Sequence, residues 1–215
     1  MGVNSHTAKV WTKLIEENAL VWGGSMVEFG NQHFFLDNVG RASPLDDYYD
    51  DWRDRKPFKY WVNLLGISHV SIDINSKDGA LPLDLSGDLS YHTLLNKKFD
   101  LGTNFGTTEH IKKQYWAWGN MHNFLKMNGI AMHVLPRVGS WKDHASCYWR
   151  YTFEFFERLS DACGYVIMDL HKALNDISND MSIYAVMRKS ANNLFISPEV
   201  FNEILEGSTE YSPNG

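Results

Sequence analysis

The sequence has few cysteines and no excess of positive charge, and each of these absences excludes a class of protein. Cys147 and Cys163 are the only 2 cysteines in 215 residues, and they do not have the spacing of a metal-ligand motif. We therefore expect a reduced, intracellular protein with neither a disulfide scaffold nor a metal site. A net charge of -6 argues against a protein that holds nucleic acid by a basic surface.

Long apolar runs are also missing. The N-terminal stretch has none, so neither a signal peptide nor a membrane span is predicted. The sequence begins with Met-Gly, but His6 stands where a myristoylation signal needs Ser or Thr. We therefore expect a cytoplasmic protein without membrane contact. Hydrophobic residues still make up 44% of the chain, which is enough for a substantial core and argues against general disorder.

Helical and strand patterns alternate along the chain, and the strands are almost continuously apolar, which predicts a parallel sheet covered on both faces. The last two strand patterns, "YVIMDLH" and "SIYAVMRKS", are joined by a short polar segment, so they should form an antiparallel hairpin. We predict an α/β fold: a doubly wound, seven-stranded, mostly parallel sheet with an antiparallel terminal hairpin. One domain should span residues 1–190, with an N-terminal helix at 7–18 and an insertion at about 36–65, followed by a peripheral tail at 191–215.

Polar residues follow four of the predicted strands, at the edge where ligands bind in such sheets. After the first strand, Gly30 would let backbone approach a ligand closely. Asp73, after the second, has the chemistry to accept two hydrogen bonds from a ribose diol. Asp84 and Leu85, after the third, offer a carboxylate to an adenine amino group and an apolar contact to its ring. The alternative is that both acids are ordinary turn residues.

The stretch "FDLGTNFGTTEHI" is the fourth strand and its exit. Residues 103–108 are mostly small and polar, and we expect them to form the floor of a ligand site, with backbone amides pointing inward. The alternative is that Thr107, Thr108 and Glu109 only cap a helix, since an acid is favourable at its positive end.

The ordered set of strand exits resembles the class I S-adenosylmethionine-dependent methyltransferases. "SMVEFGN" resembles the first motif of that family, "VSIDIN" the ribose-binding exit, "LPLDLS" the adenine-contacting exit, and "FDLGTNFGTTEHI" the fourth-strand motif. The resemblance implies a Rossmann-like methyltransferase fold and S-adenosylmethionine as cofactor. It places these residues in the cofactor site: Glu28, Gly30, Asn31, Asp73, Ile74, Asp84, Leu85, Asn104, Phe105 and Glu109.

The sequence departs from the family pattern in its first loop. Gly30 is followed by Asn31, Gln32 and His33 rather than by further glycines. In a dinucleotide-binding fold about 20 residues separate the glycine turn from the ribose-binding acid. Many more residues separate Gly30 from Asp73. The insertion "PLDDYYDDWRDR" accounts for the excess and is either a solvated helix or a lid over the ligand. These departures leave open a non-catalytic, methyltransferase-like module that binds a nucleoside or a partner.

The acceptor side rests on the loop "PRVGSWKDHASCYWR" after the fifth strand. His144 in this loop is the predicted general base for a hydroxyl acceptor, because imidazole titrates near neutrality; the alternative is a surface histidine. Without a basic face or a second domain, a small-molecule or sugar-like acceptor is expected. An oxidoreductase is the weaker alternative, because the glycine fingerprint is absent and the terminal hairpin is reversed.

Overall fold

The computed structural model describes residues 2–17, 19, 23–34, 57–93, 97–139, 147–175 and 180–210. The helices in these ranges are α1 (Ser5–Glu16), α2 (Phe58–Leu64), α3 (Gln114–Phe124), α4 (Phe153–Cys163) and α5 (Pro198–Leu205). The strands are β1 (Gly2–Val3), β2 (Ser25–Phe29), β3 (His33–Phe34), β4 (Ser68–Ile72), β5 (Phe99–Phe105), β6 (Leu125–Pro136), β7 (Trp149–Arg150), β8 (Tyr165–Asn175), β9 (Asp180–Lys189) and β10 (Thr209–Glu210). Two short 3-10 helices lie at Lys77–Gly79 and Thr108–His110.

The central sheet has the strand order β4-β2-β5-β6-β9-β8. The four strands β4, β2, β5 and β6 run parallel, and β9 is antiparallel to both of its neighbours, β6 and β8. This arrangement confirms the predicted mostly parallel sheet with an antiparallel terminal hairpin. Because β2, β4 and β5 are parallel neighbours, their carboxyl ends meet at one edge of the sheet.

The described residues place one strand fewer in this sheet than the seven we predicted. The segment "GALPLDLS" makes only a single parallel bridge, between Leu81 and Ile72. Pro82 has no N–H to continue the ladder, and the Leu83 amide donates back to Leu81 O at 2.8 Å. The chain therefore leaves the sheet edge at once and forms an irregular loop.

Apolar side chains pack against both faces of the sheet. On one face Phe29 and Phe155 belong to the core with α3, α4 and α5, and on the other Met26 and Trp11 belong to the core with α1 and α2. The helix α5, which the sequence assigns to a peripheral tail, contributes the fully buried Phe201 to the first core. None of the described helices combines the length and apolar character needed to cross a bilayer.

Candidate functional site

A cavity of about 780 Å³ opens at the carboxyl edge of β2, β4 and β5. Four segments line it, at residues 30–33, 72–77, 83–86 and 106–113, although not every residue of each contributes. The volume lies within the range of about 300–1,000 Å³ that is usual for small-molecule sites. The cavity therefore lies where the strand exits predict a ligand site.

The loop after β2 is locked to the loop after β5 by side chains. Gly30 has a φ of +83°, and a Cβ built on it would lie 2.4 Å from Thr107 Oγ1 and 2.6 Å from Gln32 Nε2. Gln32 Nε2 donates to Thr107 Oγ1 at 3.0 Å, and that hydroxyl donates to Phe29 O at 2.7 Å. The space beside the glycine is thus filled by the protein's own side chains.

Asp73 stands at the exit of β4, with its carboxylate aligned by two backbone amides. Asp73 Oδ2 accepts from Asn31 N at 2.8 Å, and Oδ1 accepts from Asn75 N at 2.9 Å. Each carboxylate oxygen can accept more than one hydrogen bond, so capacity remains for a hydroxyl. The half-buried Asp73 is therefore a pre-oriented acceptor at the cavity wall.

Two buried amide oxygens border the same region. Asn31 Nδ2 donates to Asp78 Oδ2 at 2.7 Å, which fixes the orientation of the Asn31 amide. Asn31 Oδ1 and Gln32 Oε1 have no hydrogen-bond partner among the described residues. Because a buried polar atom without a partner is costly, both oxygens favour a ligand that donates hydrogen bonds.

Asp84, Leu85 and Ile74 form another part of the cavity lining. Asp84 is exposed, and its Oδ1 accepts from Ser86 N at 2.8 Å. Leu85 is buried, whereas Ile74 is 77% exposed, which leaves a large apolar side chain at the cavity entrance. This pairing of an acid with apolar surface suits a flat heteroaromatic ring that carries an amino group.

Six of the ten residues predicted to bind cofactor line the cavity, and Glu28 is one of the four that do not. Its Oε2 lies 2.7 Å from His69 Nε2, and both side chains are almost fully buried. Burial raises the pKa of the Glu28 carboxyl, while the nearby His69 acts in the opposite direction. Glu28 thus ties β2 to β4 beneath the site.

Asn104 lies behind the cavity and holds the loop after β5. Its Oδ1 accepts from the Thr107 and Thr108 amides at 3.4 and 3.2 Å, and its Nδ2 donates to Thr108 Oγ1 at 2.8 Å. His133 Nδ1 lies 3.3 Å from Asn104 Nδ2, and burial lowers the pKa of His133 to about 3. Asn104 therefore shapes the floor from beneath.

Phe105 and Glu109 also lie outside the cavity lining. Phe105 is buried in the core beneath α1 and α2. The Glu109 carboxylate is fully buried, with its Oε1 3.7 Å from His110 Nε2. The 3-10 helix that carries Glu109 is held by Gln114, whose Nε2 donates to Thr108 O at 2.7 Å and to Ile111 O at 2.5 Å.

Several cavity residues were not predicted. Gln32 has no local signal for its role, because its partners Phe29 and Thr107 come together only in the folded sheet. Lys112 and Lys113 also line the cavity, since the segment after β5 continues along its rim. The predicted base His144 and the whole predicted lid, residues 44–55, lie outside the described residues.

No protein-family model and no curated protein matches the sequence, but solved structures share its fold. One is the 1,6-didemethyltoxoflavin-N1-methyltransferase of Burkholderia thailandensis, crystallised with 1,6-didemethyltoxoflavin and S-adenosylhomocysteine (TM-score 0.54, 13% identity, 87% of this chain and 78% of that chain covered). Another is an O-methyltransferase from a polyketide synthase of Brevibacillus brevis, in complex with S-adenosylhomocysteine (0.53, 10%, 98% and 86%). A third is a methyltransferase of Methanosarcina mazei (0.50, 14%, 81% and 96%). The chain has the Rossmann-like fold of S-adenosylmethionine-dependent methyltransferases.

The shared fold accounts for the place of the cavity. In open α/β sheets ligands bind beyond the carboxyl ends of the strands, at the point where the strand order reverses. Here β2 lies between β4 and β5, and the cavity is at the carboxyl end of this trio. The geometry and the fold thus point to the same edge.

Proposed function

We propose that the chain is a methyltransferase that binds S-adenosylmethionine in this cavity and transfers the methyl group to a small-molecule acceptor. The observation that carries the proposal is Asp73, whose carboxylate is oriented by the amides of Asn31 and Asn75 beside the Gly30 loop. A carboxylate at this strand exit suits the two hydroxyls of a ribose. The fold and the site thus support the same cofactor.

The residues present fit the other parts of the cofactor. Asp84 would accept from the adenine amino group, while Ile74 and Leu85 would contact the ring. The partnerless oxygens of Asn31 and Gln32 would accept hydrogen bonds from the ammonium group of the methionine part.

For methyl transfer, the main task of the protein is to position the cofactor and the acceptor. S-adenosylmethionine supplies a methyl group that is already activated on a sulfonium. With the cofactor held by Asp73, Asp84 and the Gly30 loop, an acceptor oxygen or nitrogen aligned with the methyl group would displace the sulfur and lose its proton to a base or to water. The chain contributes by holding the reactants close and aligned. His144 remains our predicted base for a hydroxyl acceptor. A correctly placed base would accelerate methyl transfer to a hydroxyl by about 10²–10⁴-fold.

A small acceptor is favoured by the size of the site and by the solved structures of similar fold. The cavity of about 780 Å³ is large enough for a cofactor and leaves room beside it. The toxoflavin methyltransferase was crystallised with a small heterocycle. We therefore propose a small-molecule or sugar-like acceptor.

A second candidate function is a binding module that holds the nucleoside without turnover. The packed surroundings of Gly30 favour it, because Gln32 and Thr107 occupy the space that further glycines would leave open. Such a module would bind S-adenosylhomocysteine and show no methyl transfer to any acceptor in a broad panel. Detectable transfer from radiolabelled S-adenosylmethionine would eliminate it.

Calorimetric titration with S-adenosylhomocysteine tests the proposed cofactor site. Asp73→Ala should weaken binding about ten- to a hundredfold, since hydrogen bonds to a charged group contribute about 1.5–3 kcal/mol. Asp88→Ala is the matched control, because Asp88 is an exposed acid of the neighbouring loop that does not line the cavity. Equal affinities of wild type and Asp73→Ala would disprove the role of Asp73. No binding by the wild type would disprove the cofactor.

A further inference from the structure

The loop between Leu83 and Leu89 forms one wall of the cavity but has no regular secondary structure. Its backbone is held by one side chain from α3, that of Asn120. Asn120 Oδ1 accepts from Leu89 N at 3.0 Å, and Asn120 Nδ2 donates to Gly87 O at 2.8 Å and to Leu85 O at 3.3 Å. The side-chain amide of Asn120 therefore supplies hydrogen bonds to a loop backbone that has no strand partner.

The contacts determine how this amide is oriented. Two carbonyls face Nδ2 and one N–H faces Oδ1, so the reversed orientation would oppose like groups at all three positions. Asn120 is fully buried. Asn is also a poorer helix former than most residues, and a buried amide is costly unless it is hydrogen-bonded. Asn120 thus does not stabilise α3 itself, but its hydrogen bonds stabilise the loop.

The part of the loop that Asn120 holds carries the recognition groups. Leu85, whose carbonyl is bound, follows Asp84 directly, and Gly87 closes the turn through its amide to Asp84 O at 3.2 Å. The Asp84 side chain is fixed only by its bond to Ser86 N among the described residues. Its position therefore depends on the backbone that Asn120 restrains.

We propose that Asn120 is a positioning residue that sets the adenine-side wall and so determines selectivity for the base of the ligand. The inference rests on the proposed function, because it takes the adenine to lie against Asp84 and Leu85. The Asn120 Nδ2 donor holds the carbonyls of Leu85 and Gly87 in place. The restrained backbone in turn keeps the Asp84 carboxylate within hydrogen-bonding distance of the adenine amino group. Loss of the donor releases the wall and with it the discrimination between an amino group and a carbonyl.

The experiment compares affinities for S-adenosylhomocysteine and for its inosine analogue, in which an oxygen replaces the adenine amino group. The wild type should prefer S-adenosylhomocysteine by about tenfold or more, as expected for a hydrogen bond to a carboxylate. Asn120→Asp keeps the size of the side chain but presents an oxygen to the carbonyls of Leu85 and Gly87. This variant should lose most of the preference, with a ratio that approaches one.

The control is Asn123→Asp, the same chemical change on the same helix, at a residue whose recorded hydrogen bond uses its backbone carbonyl, which accepts from Lys98 Nζ. It should keep the wild-type ratio. Asn120→Ala is measured alongside and should also lose the preference, so that the test does not depend on whether one variant folds. Hydrogen exchange at the Leu89 amide reports whether the wall has loosened.

The ratio separates positioning from general stability, because overall destabilisation weakens both ligands alike. Loss of the ratio in both Asn120 variants would support the inference. A loosened Leu89 amide with an unchanged ratio would refute the inference and leave the cofactor site intact. Absence of S-adenosylhomocysteine binding by the wild type would instead refute the proposed function, and the inference with it.

Discussion

The floor of the cavity, at residues 30–32 and 104–108, and its outer wall, at residues 73–79 and 83–86, are built in different ways. The floor is mostly buried and interlocked, with side chains from two loops bonded to each other. The wall is mostly exposed and is held by short turns and a few side chains. The difference separates two tasks: the floor is fixed when the sheet folds, whereas the wall presents the groups that recognise a ligand.

Backbone conformation shows the same contrast. In the floor, positive φ values fall on glycines, Gly30 at 83° and Gly106 at 78°. In the wall they also fall on Ser76 and Asp78, each at 52°. A non-glycine residue in this region is strained by about 1–2 kcal/mol, and such strain persists when neighbours hold it. Asn31 supplies part of that hold through its bond to Asp78.

The largest effect should come from crowding the floor. Gly30→Ala places a Cβ 2.4 Å from Thr107 Oγ1 at a φ of +83°. We expect a loss of about 3 kcal/mol in the free energy of unfolding, from the unfavourable φ together with the clash. Urea denaturation measures the loss.

Gly87, which directly follows the wall segment 83–86 in the same loop, provides the control for this change. At Gly87 the nearest atom to a built Cβ is Asp84 O at 3.8 Å, so Gly87→Ala should stay within about 1 kcal/mol of the wild type. Adding Thr107→Ala to Gly30→Ala should recover part of the loss, because it removes the clash with Thr107 Oγ1 but neither the 2.6 Å contact with Gln32 Nε2 nor the strain in φ. Equal effects at the two glycines would contradict the contrast between floor and wall.

The next effect should be a dependence of stability on pH that arises beneath the floor. Burial lowers the pKa of His133 to about 3, whereas an unfolded histidine titrates near 6.5. Between these values the unfolded chain binds the proton and the native protein does not, so stability falls as pH falls below about 6.5. From pH 7 to pH 5 the loss from His133 should be about 2 kcal/mol.

The test compares pH profiles, so the overall stability of the variant does not affect it. Denaturation of wild type and His133→Gln at pH 7 and pH 5 should show a smaller acid loss in the variant. His122, whose pKa burial lowers to about 4, keeps part of the slope in both proteins. Parallel profiles would show that His133 is not held neutral in the native state.

The sequence was sufficient to predict a mostly parallel sheet with a reversed end, and acids at the strand exits where the cavity lies. Apolar runs and the short link before β9 are local patterns, so they identify a mostly parallel sheet with a reversed end. The acids Asp73 and Asp84 follow directly from the ends of such runs. The sequence wrongly predicted a strand at "GALPLDLS", because this segment has the residue pattern of a strand and only Pro82 interrupts the pairing.

Side-chain roles were harder to predict than positions. Glu28 and Asn104 stand near strand exits, yet the fold turns both toward buried partners, His69 and Thr108. Successive residues of a strand point to opposite faces, so a polar residue within the last strand positions does not have to face the edge. Asn120 had no signal at all, because its partners lie 31 to 35 residues away in the chain.

The smallest effect should come from relieving strain in the wall. Ser76 has a φ of 52° and a ψ of 12°, a conformation that glycine adopts without steric cost. Ser76→Gly should therefore stabilise the protein, but by only about 0.5 kcal/mol, because glycine also increases the entropy of the unfolded chain. Ser86→Gly, in the same wall but without a positive φ, should instead destabilise it by about 0.5–1 kcal/mol. Thermal denaturation of the two variants measures this difference in sign. If both changes destabilise equally, Ser76 is not strained, and the contrast in backbone conformation between floor and wall has no energetic consequence.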